Sequence, residues 1–162
     1  MKFRRILQII AILSIIFSCK EPPPRPVVRI IPLPAEVKEQ KGIFVTTPNT
    51  RILINQGNEQ LRQIAALLNG HTEKYYGITN SISTIDNQEN GSIFLKLDEG
   101  LKMGKEDYHL IVNSKGVLIE AAAPNGLFYG VQTLIQLMPP TPKQLPEIVL
   151  PYIEIKIGRA HV

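Results

Sequence analysis

Tryptophan is absent from the 162-residue sequence, cysteine occurs once, and aromatic residues make up only 6%. The lone thiol, Cys19, has no second cysteine with which to form a disulfide inside the chain, and no CxxC pair is available to a zinc site. Histidine is scarce: His71, His109 and His161 have no second histidine or carboxylate at metal-ligand spacing. The serines show no nucleophile-elbow pattern. The stretch "GKEDYH" (residues 104–109) lacks the glycine spacing and the following helix of a phosphate loop. Clusters of Lys and Arg interleaved with aromatics are missing, which argues against a nucleic-acid partner. There are no internal repeats.

What is present begins at the N-terminus. Lys2, Arg4 and Arg5 precede an apolar run, "ILQIIAILSIIF" (residues 6–17), followed by "SCK". A positive start and a short apolar run make a secretory signal peptide over residues 1–18. The run is too short to span a bilayer, which needs about 20 apolar residues. A membrane anchor helix or a buried core helix is the competing reading. "IFSC" resembles a bacterial lipobox, although Phe17 is bulkier than the usual small residue at its position. The resemblance implies lipidation of Cys19, a membrane contact through that residue, and an exported protein anchored at the bacterial cell envelope. More than one acyl chain gives a stable anchor, at about 0.8 kcal/mol per buried methylene. Residues 19–29 include "KEPPPRPVV", a proline-rich, semi-rigid spacer. The whole chain carries a net charge of +4. Cleavage before Cys19 removes three cations and no acid, leaving +1, so the basic balance does not advertise a polyanionic partner.

At the other end, "IGRAHV" (residues 157–162) resembles the translation of a common sequencing adapter. It is set aside from the fold reading, and Arg159 and His161 receive no functional weight.

Residues 30–156 are enough for one domain. Residues 43–46 and 51–54 are rich in β-branched residues, and "TPNT" separates them; they read as two strands. Leu61, Ile64, Ala65 and Leu68 recur at helical spacing, with Asn58 as N-cap and Asn69-Gly70 as the stop. Residues 78–91 read as a loop with at most one strand, and "SIFLKL" (residues 92–97) as a central strand. Tyr108, Leu110 and Val112 alternate, as do Val117, Ile119 and Ala121, with "NSKG" between them. That is an antiparallel hairpin with one buried face and Glu120 on the other. "YIEIK" (residues 152–156) is the last strand.

"GLFYGVQTLIQLMPP" (residues 126–140) places Leu127, Phe128, Val131, Leu134, Ile135 and Met138 within an arc of about 120° on a helix. Asn125 is the expected cap, and Pro139 ends the element at Met138. Gly130 and Leu137 form a second, narrower strip. The prediction is an α+β two-layer sandwich: a mainly antiparallel sheet of about six strands with two helices on one face.

Sugar hydrolysis uses paired carboxylates, so Asp98-Glu99 and Glu106-Asp107 are the residues to weigh. Adjacent residues in a strand point to opposite faces, and both pairs read as solvated turn acids.

Four stretches in order, "IIPLPAEV", "EDYHLIV", "GLFYGVQTLIQLMP" and "LPYIEIK", resemble the non-catalytic N-terminal domain of glycoside hydrolase family 20, the β-N-acetylhexosaminidases. The resemblance covers residues 30–156. It implies a downstream (β/α)8 barrel that removes terminal β-linked GlcNAc or GalNAc from an amino-sugar glycan. The implied mechanism is retaining and substrate-assisted, an exception to the two-carboxylate template, and needs no cofactor. The family continues after its last strand with Asp, Pro, Arg and Phe; here "IGRAHV" follows. The catalytic residues are therefore expected outside this sequence, and no catalytic, substrate-binding or metal residue is assigned within it. The strip of Gly130 and Leu137 is the expected contact with the barrel. Two alternatives stand beside this reading: a sandwich domain of another glycosidase family, and a stand-alone surface carbohydrate-binding lipoprotein.

Overall fold

The computed structural model describes residues 30–31, 34, 36–140 and 147–158. Cys19, the signal segment and the spacer lie outside them, as do residues 159–162. One seven-stranded sheet carries two helices. The strands are β1 (Glu36–Thr46), β2 (Ile52–Ile54), β3 (Ile82–Thr84), β4 (Ser92–Leu97), β5 (Tyr108–Asn113), β6 (Gly116–Ala121) and β7 (Ile148–Ile157). The helices are α1 (Glu59–Tyr76), between β2 and β3, and α2 (Pro124–Leu137), between β6 and β7. The strand order is β1-β7-β5-β6-β4-β2-β3. The β1, β7, β5 and β6 ladders are antiparallel; β6, β4, β2 and β3 pair in parallel. The antiparallel part carries most of the pairing, and the fold is the predicted α+β sandwich.

The hairpin alternation places its apolar set toward the helices. Tyr108, Leu110 and Val112 are buried, as are Val117, Ile119 and Ala121 across the ladder. Strand β4 is buried on both faces, as the density of "SIFLKL" predicts: Ile93 and Leu95 face the helices, while Phe94 lines up with Leu53 and Leu118 on the other side. Strand β7 lies in the middle of the antiparallel half, and its last residue, Ile157, pairs with Tyr108. The ladder between β1 and β7 shifts register between Glu39 and Ile43. Both sheet edges are short or charged: β3 has three residues, and the outer part of β1 reads Glu36, Val37, Lys38, Glu39, Gln40, Lys41. Ile30 and Pro34 are buried, and the Ile31 N–H donates to Gln136 Oε1 at 2.9 Å, near the C-terminal end of α2.

Asn58 caps α1: its Oδ1 accepts the Leu61 N–H at 2.9 Å. The predicted stop at Asn69-Gly70 is overturned, because α1 runs on to Tyr76. Gly70 is exposed inside it, a tolerated cost of about 1 kcal/mol. Asn69 instead serves a tertiary contact, accepting the Asn80 N–H at 2.7 Å. Gly77 ends α1 at φ 70°, ψ 20°, the left-handed conformation that glycine supplies without a Cβ clash, and its N–H bonds back to Glu73.

Helix α2 differs from expectation at its start and in its rotation. The N-cap is Ala123 with Pro124 in the first turn, and no side chain caps the helix; Asn125 is exposed. Proline suits the first turn because its missing N–H would have had no helical partner. The buried face is Gly126, Leu127, Gly130, Val131, Thr133, Leu134 and Leu137. Phe128, placed in the core by the spacing, is 37% exposed. The glycines explain the rotation. A Cβ at Gly126 would collide with the Asp107 carbonyl oxygen, and one at Gly130 with Ile119 Cγ2. The helix lies backbone-first on β5 and β6, turned by about 80° from the predicted arc at 100° per residue. Pro139 ends it as expected: Met138 is extended, with ψ 141°. Tyr76 Oη donates to the Pro139 carbonyl at 2.6 Å, tying the C-terminal ends of the helices together.

Gly130→Val should lower unfolding free energy by about 1–3 kcal/mol through overpacking, measured by urea denaturation. Asn58→Ala should cost about 1 kcal/mol through loss of the cap. A Gly130→Val protein as stable as the parent would show that α2 does not lie this close to the sheet.

Candidate functional site

The acidic pairs and His71 do not come together among the described residues, whereas His109 lies between two carboxylates, with Nδ1 3.2 Å from Glu120 Oε1 and Nε2 3.0 Å from Glu154 Oε1. Asp98 lies at the end of β4, with Oδ1 accepting the Gly100 N–H at 3.1 Å and Oδ2 3.1 Å from Lys96 Nζ. Its carboxyl is held below the usual range, first by Lys96 and then by the Gly100 backbone. Glu99 and Glu106 are exposed. Asp107 accepts the Gly104 N–H at 2.7 Å, closing a turn. Both acidic pairs are turn acids, as read from their spacing. His71 sits among Tyr75 and Tyr76; burial, then Lys74, holds its imidazole below the ordinary value. Among the described residues, no group of three His, Cys, Asp or Glu side chains could hold a metal ion, and no helix is long and apolar enough to cross a membrane.

Burial also pushes the Tyr108 hydroxyl up, a shift its bond to Thr133 partly opposes. That hydroxyl shares its hydrogen bond with Thr133 Oγ1 under α2. The pair satisfies two buried polar groups between helix and sheet.

The surface that stands out is the outer side of the helix layer. Leu67 (37%), Phe128 (37%), Tyr129 (42%) and Tyr75 (46%) are large apolar side chains left exposed there. Between the first turns of α1 and α2 lies an open cleft of about 350 Å³. Its walls are Gln60, Gln63, Ile64 and Leu67 from α1 and Pro124, Asn125 and Phe128 from α2. Apolar Ile64, Leu67, Pro124 and Phe128 line it together with three amides, Gln60, Gln63 and Asn125.

This corrects the expected contact strip. Gly130 and Leu137 face the sheet, where Gly130 touches Ile119 and Tyr108; they are not available to anything outside. The exposed side instead presents Phe128 and Tyr129. One sequence signal could have revealed it. Gly126 and Gly130 are four apart and mark the line of closest approach, which puts Phe128 about 160–200° around the helix from them.

Strand β7 ends at the same end of the sheet as the start of α2. Strand β7 runs parallel to β6 and ends with Ile157 opposite Tyr108. Gly158 lies against the Asp107 side chain, and the Asp107 carbonyl touches Gly126 at the start of α2. Gly158 is therefore at the N-terminal end of the helix layer, and Ile31 near the C-terminal end of α2.

The family model described as Glycosyl hydrolase family 20, domain 2, matches residues 27–156. A beta-hexosaminidase of Porphyromonas gingivalis is 31% identical over 133 residues, covering 80% of this chain and 17% of that protein. The N-acetyl-beta-hexosaminidase of Streptomyces plicatus, solved in complex with Thio-NAglucal, superposes with a TM-score of 0.70 at 30% identity, over 84% of this chain and 27% of its own. The chitobiase of Flavobacterium johnsoniae shares the fold at a TM-score of 0.61 and 21% identity, over 81% and 21% of the two chains. This chain thus spans about a sixth to a quarter of the length of these relatives.

If Phe128 is a surface residue, Phe128→Ser should change the stability of this chain by no more than about 0.5 kcal/mol. Leu134→Ala, in the buried face, should cost about 2–5 kcal/mol. Equal losses in urea unfolding would return Phe128 to the core.

Proposed function

This chain belongs to glycosyl hydrolase family 20, in which it is domain 2, and we propose that it is the non-catalytic module of a β-N-acetylhexosaminidase. Its task in that protein is structural: it offers the outer side of its helix layer to a (β/α)8 catalytic domain. The observation that carries this is the pair of exposed apolar side chains, Leu67 and Phe128, lining the cleft between the first turns of the two helices. Apolar side chains in that number on one face favour burial against a partner. The catalytic domain would remove terminal β-linked GlcNAc or GalNAc from a glycan. The sugar's own 2-acetamido oxygen would attack the anomeric carbon, with a carboxylic acid of the barrel protonating the leaving oxygen. No cofactor enters this scheme.

We further propose that the signal at residues 1–18 exports the protein, that Cys19 is lipidated, and that residues 19–29 hold the module away from the membrane. The supports are the charge and length of the N-terminal run, the position of the only cysteine, and the proline content of the spacer.

Three measurements test these proposals. The 162-residue chain should release no nitrophenol from an aryl N-acetyl-β-glucosaminide; turnover by it would place catalysis within the module. For docking, residues 27–156 can replace the matched segment of the Porphyromonas gingivalis relative. In that chimera the pair Leu67→Glu and Phe128→Glu should lower the melting temperature by several degrees, the scale on which a few kcal/mol reads out. The same pair in the 162-residue chain should have little effect. Equal effects in both would remove the docking role. Expressed in a bacterium that processes lipoproteins, the chain should take up radiolabelled palmitate and Cys19→Ser should not; equal labelling, or none in the parent, would remove the anchor.

A further inference from the structure

Charge is divided between the two sides of the sandwich. On the side of the sheet without helices, Lys96 Nζ lies 3.7 Å from Glu120 and 3.1 Å from Asp98, Lys156 Nζ lies 3.1 Å from Glu154, and Lys38 pairs with Glu36 at 2.6 Å. Helix α2 has no charge to offer: from Pro124 to Leu137 there is no Asp, Glu, Lys, Arg or His. Its outward positions are Asn125, Phe128, Tyr129, Gln132 and Gln136, which fall within an arc of about 100°. A helix that faces water ordinarily carries charged side chains on that face. The uncharged surface crosses the cleft to Gln60, Gln63 and Leu67 on α1. Glu59 and Lys74 mark its ends there: Glu59 Oε1 accepts from Gln63 Nε2 at 3.0 Å, and Lys74 Nζ lies 5.1 Å from the centre of the Tyr75 ring.

The groups on this surface can be covered at low cost. Burying an ionised side chain without a partner costs far more than burying an amide that finds a hydrogen bond. Asn and Gln carry both donors and acceptors, so they match peptide groups and hydroxyls alike. Aromatic side chains where charged ones would be expected are the composition of a buried interface core. The same neutrality gives no long-range attraction. A partner that arrives by diffusion gains speed from charge, whereas a tethered one has no need of it. His71 follows Leu67 by one turn of α1. Burial, then Lys74, holds its imidazole below the ordinary value, so that position too is uncharged at neutral pH.

We infer that the surface covering α2 is itself uncharged: a face of the tethered catalytic domain made of apolar side chains and of peptide or hydroxyl groups that bond to the Asn and Gln amides. This rests on the docking of the helix layer to that domain, and it extends the contact from the cleft along the outer side of α2 as far as Gln136. It also gives the contact a property of its own. A charge of either sign placed at its centre would be desolvated with no partner, so both signs are rejected alike. A charged complement would accept one sign and reject the other.

The test uses the chimera with the Porphyromonas gingivalis relative and substitutes two mid-helix positions, away from the helix ends that would favour one sign. Tyr129→Lys with Gln132→Lys, and Tyr129→Glu with Gln132→Glu, should each lower the melting temperature of the chimera by several degrees, and high salt should restore neither. In the 162-residue chain both pairs should move it by no more than about 2 °C. A chimera that accepts either pair, while Leu67→Glu with Phe128→Glu still destabilises it, would overturn the uncharged complement and leave the docking intact. A chimera indifferent to all three pairs would remove the docking, and this inference with it. A 162-residue chain whose mass in sedimentation doubles with concentration, and stays single with either charged pair, would give the face to a second copy and overturn the inference as well.

Discussion

Helix α2 touches the sheet with its backbone, and the rest of the arrangement follows from that contact. Two positions without a Cβ, Gly126 and Gly130, let the helix settle onto the Asp107 carbonyl, Ile119 and Tyr108. At that distance the Thr133 hydroxyl reaches Tyr108, and the buried pair satisfies itself. The same descent fixes the helix rotation, so Leu127, Val131 and Leu134 fill the space over β4, β5 and β6 while Phe128 and Tyr129 are turned away. The outer surface of the helix layer is thus set from beneath.

The sheet was legible wherever one face is buried, because a period of two then carries the information. The hairpin of β5 and β6, the doubly buried β4 and the Asn58 cap all have local signatures. The helix ends and the rotation of α2 do not. Asn69-Gly70 has the composition of a stop, yet Asn69 is held by Asn80, eleven residues on in the segment before β3. Phe128 has the hydrophobicity of a core residue, but the choice between it and Gly130 depends on how closely two layers approach, which periodicity does not encode. For the site, the sequence was informative about turn acids such as Asp98 and Asp107. The cleft between α1 and α2 was not visible, because its walls come from residues about 60 positions apart whose spacing resembles any amphipathic helix. The row of His109, Glu120 and Glu154 on the helix-free sheet face was visible only in part: Glu120 was placed off the core face, but its convergence with the other two was not foreseen.

The two sides of the sandwich have separate chemistries. On one, apolar side chains are left uncovered around the cleft, and they have something to gain from a partner. On the other, opposite charges are already paired with one another across β1, β7, β5, β6 and β4, so most of that surface has its partners within the molecule.

The edges complete that asymmetry. A sheet normally tempts neighbours to extend it, since its outermost strands carry unpaired N–H and C=O groups. Here one margin is three residues long and the other is lined by Glu36, Lys38, Glu39 and Lys41. Neither is a template for a ribbon. A three-residue margin and a charged first half of β1 both discourage strand addition, which leaves the helix layer as the side with more to gain from a partner.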